Sequence, residues 1–166
     1  MVTTAVANGE IRNGELKTIG PVPLFRITEA RNNVYLDPSS YRRYDRYADA
    51  IASVDARGAA RLYATLKPRV GEAYRRLGST IDNFDPVMER AIVELLRVPI
   101  IEGTIALEPK GIVYGFADPK LEGMTAAQKQ LLRMGPQNVR KVQAKLREIA
   151  DYLAIPAAKL PPPSTP

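Results

Sequence analysis

Proline punctuates this chain more firmly than any other residue. It lacks a backbone N–H and has a fixed φ, so it opens helices in their first turn and stops them elsewhere. Fourteen prolines among 166 residues cut the apolar pattern into short pieces. Asp85-Pro86 reads as a helix start with a capping carboxylate. Pro99 ends that helix, Gly135-Pro136 breaks and restarts the chain, and Pro156 opens a proline-rich tail. Pro68 falls inside a long helical pattern and predicts a kink near Thr65.

Between these marks, apolar spacing predicts four to five helices. One covers 40–54, with Tyr41, Tyr44, Tyr47, Ala48 and Ile51 on one face. Arg42, Arg43 and Arg46 lie opposite as a solvated face, with Asp45 and Asp49 spaced to pair with them. The next, 56–77, is capped by Asp55, carries a buried stripe from Leu62 through Leu66 to Tyr74, and stops at Gly78. A third covers 85–97. A single turn follows Asp118-Pro119, and Thr125 with Gln128 forms a capping box for a short helix to Met134. The last helix runs 136–153 on a Val139, Val142, Leu146, Ile149, Leu153 seam.

Strands fill the rest. Residues 2–7 are rich in Val and Thr and read as extended, with Asn8-Gly9 and Asn13-Gly14 as turns. Short strands are expected at 24–27 and 34–36. A β-hairpin is expected from 101–107 and 112–116 about a Glu108-Pro109-Lys110-Gly111 turn. The fold class is therefore α+β: a single, mostly helical domain with short antiparallel strands and a β-hairpin. The expected division is 1–155 as one globular domain, with 1–38 strand-rich, 39–100 helical, 101–116 the hairpin, 117–154 a C-terminal helical hairpin, and 156–166 the tail.

The chain has no histidine and no cysteine. This excludes the usual Ser-His-Asp and Cys-His nucleophile systems and thiolate or imidazole metal sites. No phosphate-cradling glycine loop is present, and the N-terminus lacks the basic-then-apolar pattern of a signal peptide. Asp82, Asp85, Glu89, Glu102 and Asp118 leave carboxylate chemistry open in principle. The expectation is no enzyme, no metal and no cofactor.

Charge gives the leading functional clue. Residues 123–147 hold Lys129, Arg133, Arg140, Lys141, Lys145 and Arg147 and no acid. The chain has 24 basic and 18 acidic residues, so outside this run 18 basic residues balance 18 acidic ones. Such a concentration attracts anions. A helix-turn-helix about Gly135 would place Lys141 at a position that is usually apolar. An antiparallel helical hairpin with a wet basic face is therefore the simpler expectation.

Between residues 34 and 153 stand the passages VYLDPSSYRRYDRY, LKPRVGEAYRRLG, VYGFADPKLEGMTAAQKQLLRMGP and NVRKVQAKLREI, preceded by LKTIGPVPLFRI. They resemble a family of bacterial proteins, known from proteobacteria, that carries only a domain-of-unknown-function label, with LKTIGPVPLFRI as its weaker N-terminal part. Members typically begin with one transmembrane helix and a proline-rich linker. The resemblance implies that Met1 follows a removed or upstream anchor and that the domain faces the periplasm, tethered to the inner membrane. It supplies no catalytic residue.

The functional expectation is a non-catalytic cell-envelope interaction module. Its basic residues would meet an acidic protein or an anionic lipid surface. The alternative is a cytoplasmic nucleic-acid-binding domain using the same residues, and a carboxylate-based enzyme stands third. Small-molecule ligand and oligomeric state are left open.

Overall fold

The computed structural model describes residues 2–10, 25–30, 32–76 and 83–163. Among them are seven α-helices and a four-stranded antiparallel sheet of order β1-β2-β3-β4. The architecture is α+β, as the sequence indicates; the helices outnumber the four to five expected.

The sheet is built from two hairpins. β1 (Ile27–Ala30) pairs with β2 (Asn33–Leu36), and β3 (Ala106–Lys110) pairs with β4 (Val113–Phe116). β2 joins β3 through Val34 opposite Leu107. That register puts Leu36, Leu107 and Phe116 on one face, where all three are buried. The second turn lies two residues later than expected. Pro109 belongs to β3, opposite Tyr114, and the loop is Gly111-Ile112 with Gly111 at φ 65°. A left-handed first loop residue matches the strand twist, so glycine rather than proline sets this turn. The alternation of the ladder turns the Pro109 nitrogen away from β4, so no bond of that pair is lost.

From β2 the chain enters a 3-10 segment, Pro38–Tyr44. Asp37 Oδ1 accepts from the Ser39 N–H at 2.7 Å, and Pro38 occupies the first turn. Buried Ser40 ties this segment to the chain before β1: its Oγ accepts from Arg26 N at 2.8 Å and donates to Arg26 O at 3.0 Å. The segment continues into α2 (Asp45–Ala52). α3 (Ala56–Arg76) then runs through Pro68. The expected end at Leu77 and Gly78 lies outside the described residues.

α4 (Asp85–Leu96) starts where expected, but Asp85 is not its cap. Asn83 Oδ1 accepts from the Asp85 N–H at 3.0 Å, freeing the Asp85 carboxylate for α3. After the sheet come α5 (Pro119–Glu122), α6 (Ala126–Leu132) and α7 (Pro136–Tyr152). α7 is the central helix and packs on α2, α3, α4 and α6. Its Val139 and Val142 join Leu36, Tyr44, Leu107, Phe116 and Leu132 in the main core. Farther along, Ala150 meets Ile92 and Leu96 of α4. Buried Gln143 donates through Nε2 to the carbonyls of Leu95, Leu96 and Val98. It thereby gives the Leu96 carbonyl at the end of α4 a partner that a helix end otherwise lacks, and ties down the Val98 carbonyl just beyond it.

Residues 2–7 correct the sequence reading. They form a helix, α1 (Val2–Ala7), rather than a strand. Its end is a Schellman motif: Gly9 N bonds Val6 O, and Glu10 N bonds Ala5 O at 2.7 Å. Asn8-Gly9 is therefore a helix stop rather than a hairpin turn. α1 packs on α4 with Ala5 buried, and that contact outweighs the β preference of Val and Thr. The second turn signal, Asn13-Gly14, and Leu24 lie outside the described residues; of the expected strand 24–27 only Ile27 is in a strand, as the first residue of β1, so that strand begins three residues later than expected.

The tail is held down as far as it is described. Ala157–Lys159 forms a 3-10 turn, and Leu160 packs on the α4–α7 cluster. Lys159 pairs with Glu89, and Arg147 donates to Pro161 O at 2.8 Å.

Candidate interaction surface

The six basic residues singled out by charge do not converge on one open face. Lys129 and Arg133 stand on α6 and face the β3–β4 hairpin. Lys129 pairs with Glu122 at 3.3 Å, and the Arg133 guanidinium lies 4.9 Å from the Phe116 ring centroid. On α7, Arg140 pairs with Glu102, Lys141 with Asp49 at 2.5 Å, and Lys145 with Glu148. Arg147 is engaged with the tail. Each cation thus has an internal partner, and four of them pair with carboxylates outside the 123–147 run. The Lys141 ammonium is raised above its usual range, chiefly by the hydrogen bond to Asp49.

The acids of α2 serve α7 rather than their own arginines. Asp49 takes Lys141, and Asp45 Oδ1 accepts from Asn138 Nδ2 at 2.9 Å. The expected self-paired face on 40–54 is replaced by a polar seam between two helices.

The candidate carboxylates do not form one cluster: Asp85 and Glu89 line the same cavity of about 370 Å³ between α3, α4 and the end of α7, while Glu102 lines another and Asp118 lines neither. Asp85 accepts from Tyr63 Oη at 2.6 Å and Lys67 Nζ at 2.5 Å, bracing α3 against α4. Lys67 and then Tyr63 hold its carboxyl below the usual range, while burial, aided by Asp85, pushes the Tyr63 phenol up. Glu89 serves Lys159, Glu102 serves Arg140, and Asp118 caps α5 through Lys120 N. Asp82 lies outside the described residues. No group of three or more metal-ligating side chains occurs among the described residues.

α3 is the surface that sequence reasoning missed. It carries Arg57, Arg61, Lys67, Arg69, Arg75 and Arg76 against Glu72 alone. Lys67 is taken by Asp85 and Arg76 by Glu72. Arg57, Arg61, Arg69 and Arg75 are exposed and have no side-chain partner among the described residues. At 100° per residue Arg61 and Arg69 lie opposite buried Ala56 and Gly71, while Arg57 and Arg75 stand on the flank nearer Gly71. Leu62 and Leu66 lie to one side of Arg69 and are 60% and 42% exposed. The expected buried stripe is thus divided: Tyr63, Val70 and Tyr74 turn inward, while Leu62 and Leu66 face out. A charge count over 56–76 alone would have revealed this helix. Subtracting one basic run from the whole chain concealed it behind acids elsewhere.

These features define an α+β domain in which four of the six cations of the basic run pair with carboxylates and whose longest helix presents free arginines beside exposed leucines. The chain belongs to the protein family of unknown function DUF3014, which it matches over residues 1–150. No curated protein and no solved structure matches it. No helix among the described residues is long and apolar enough to cross a membrane.

Proposed function

We propose that the domain is a non-catalytic interaction module that binds an anionic lipid surface through α3. The observation that carries this is the row of unpartnered arginines, Arg57, Arg61, Arg69 and Arg75, beside exposed Leu62 and Leu66. Arg61, Arg69 and Leu62 share one open face, with Arg57 and Arg75 at one edge and Leu66 at the other, an arrangement that suits the headgroup boundary of a bilayer. Each cation near an anionic surface contributes about 1 kcal/mol, so four contribute about 4 kcal/mol. That alone corresponds to roughly millimolar affinity. It becomes effective where a tether keeps the domain beside the membrane, as the anchor implied by the family resemblance would. This shifts the membrane-binding surface from α6 and α7, where four of the six cations pair with carboxylates, to α3. The same resemblance supports a periplasmic, envelope-associated location.

Sedimentation with phosphatidylglycerol vesicles and with neutral phosphatidylcholine vesicles tests the surface. Retention on the anionic vesicles only, falling with salt and lost in Arg61→Glu plus Arg69→Glu, is the expected result. Equal behaviour on both vesicles would overturn the lipid role; absence from both would redirect the α3 face to an acidic protein. Protease accessibility of a C-terminal tag in spheroplasts tests the location. Protection would place the domain in the cytoplasm and make nucleic-acid binding, read by its salt slope, the alternative to pursue.

A further inference from the structure

A groove of about 610 Å³ opens between β4, α6 and Phe25, and shares no residue with α3. Arg43, Lys110, Lys129 and Arg133 line it against one carboxylate, Glu122. Glu122 is fully committed: Oε2 accepts from Phe116 N at 2.9 Å, and Oε1 takes Lys110 at 3.0 Å and Lys129 at 3.3 Å. Neither arginine has a carboxylate within ion-pair distance among the described residues. Arg43 is instead sandwiched between rings, its Cζ 5.5 Å from the Phe25 centroid and 4.7 Å from the Tyr44 centroid. Its Nη2 donates to Tyr44 Oη at 2.7 Å, while its Nε is buried with no partner. Arg133 is stacked on Phe116 and reaches the Tyr114 carbonyl only at 3.4 Å. Burial pulls the Arg133 guanidinium below its usual range; the charge of Glu122 opposes this and that of Arg43 adds to it.

Two half-buried guanidiniums of like charge, with no carboxylate in contact and only Glu122, already bonded to two lysines, acting on Arg133 from farther off, are costly to hold. An anion entering the groove would relieve that cost for both. Four cations against one carboxylate leave three positive charges, which suit a dianion, and guanidinium forks match phosphate oxygens. The wall beside them is apolar: Phe25 and Tyr114 lie 6.2 Å apart, and Ile112 and Val113 stand exposed at the hairpin tip. We infer that this groove is a binding site for a phosphate monoester carried on an apolar or aromatic body.

Phenyl phosphate, inorganic phosphate and benzoate are the probes, read by calorimetry and by the arginine Nε–Hε signals in NMR spectra. Phenyl phosphate is expected to shift the Arg43 and Arg133 signals and to bind more tightly than either of the others. Arg43→Gln and Arg133→Gln should each weaken it about tenfold or more, the loss of a charge-assisted contact. Arg61→Glu plus Arg69→Glu should leave it unchanged, which separates this site from the α3 surface. Benzoate binding as tightly as phenyl phosphate would overturn the phosphate assignment. Unshifted Arg43 and Arg133 signals in the unmodified protein would overturn the site itself, whatever the folding of the variants.

Discussion

The ring of Tyr41 fills the space that a side chain at position 135 would need. A Cβ placed on Gly135 would lie 2.3 Å from Tyr41 Cγ, and Gly135 has φ 84°. Two sequence passages meet here, the 3-10 segment from Asp37 and the turn between α6 and α7. Asn138, one turn into α7, secures the same junction by donating through Nδ2 to Tyr41 O at 3.2 Å, Asp45 Oδ1 at 2.9 Å and Met134 O at 2.9 Å.

Gly135→Ala should therefore be strongly destabilising. At φ 84° and ψ 162° the backbone lies in a region essentially limited to glycine, which costs another residue about 1–3 kcal/mol, and displacing a packed tyrosine adds about 1–3 kcal/mol. The expected loss is about 2–6 kcal/mol in urea denaturation. A loss below about 1 kcal/mol would mean that the Tyr41 ring can leave this contact freely.

What the sequence made legible is mostly what neighbouring residues decide among themselves. The capping box at Thr125 is present with both its bonds, Gln128 N to Thr125 Oγ1 at 3.3 Å and Thr125 N to Gln128 Oε1 at 3.2 Å. The apolar seam of α7 faces inward where its spacing puts it, with Val139 and Val142 buried and Leu146, Ile149 and Leu153 half-buried. Distant contacts escaped. Thr125 Oγ1 also donates to Glu94 at 2.6 Å, and Lys141 finds Asp49 from 92 residues away. The six-residue α1 could be decided only by the helix it packs on, since Asn-Gly signals a helix stop as readily as a hairpin. The basic run was legible as charge, but whether a charge is free depends on partners the chain brings from elsewhere.

Ala154 offers the opposite sign to Gly135. It ends α7 in a Schellman motif, with Ala154 N bonded to Asp151 O at 3.0 Å and Ile155 N to Ala150 O at 3.0 Å, and it sits at φ 54°. That conformation costs alanine about 1–2 kcal/mol relative to glycine, whose extra freedom in the unfolded chain returns up to about 1 kcal/mol. Ala154→Gly should stabilise the fold by roughly 0.5–1 kcal/mol, visible as a rise of a few degrees in Tm. A fall in Tm would show that the αL strain is already relieved by the Ile155 packing.

Glu122 should govern part of the acid limb of stability. The Phe116 N–H first, then Lys110 and Lys129, hold its carboxyl down to about 2, below the ordinary value of 4.5. A carboxyl depressed in the folded state contributes stability that is complete above its unfolded value and disappears as pH falls through its folded value. Stability should thus decline from about pH 4.5 toward about pH 2. Glu122→Gln should remove this component, so that urea midpoints of variant and parent differ at pH 7 and converge in acid. A constant difference across that range would assign the acid sensitivity to other carboxylates, with Asp85, held low by Lys67 and Tyr63, as the next to substitute.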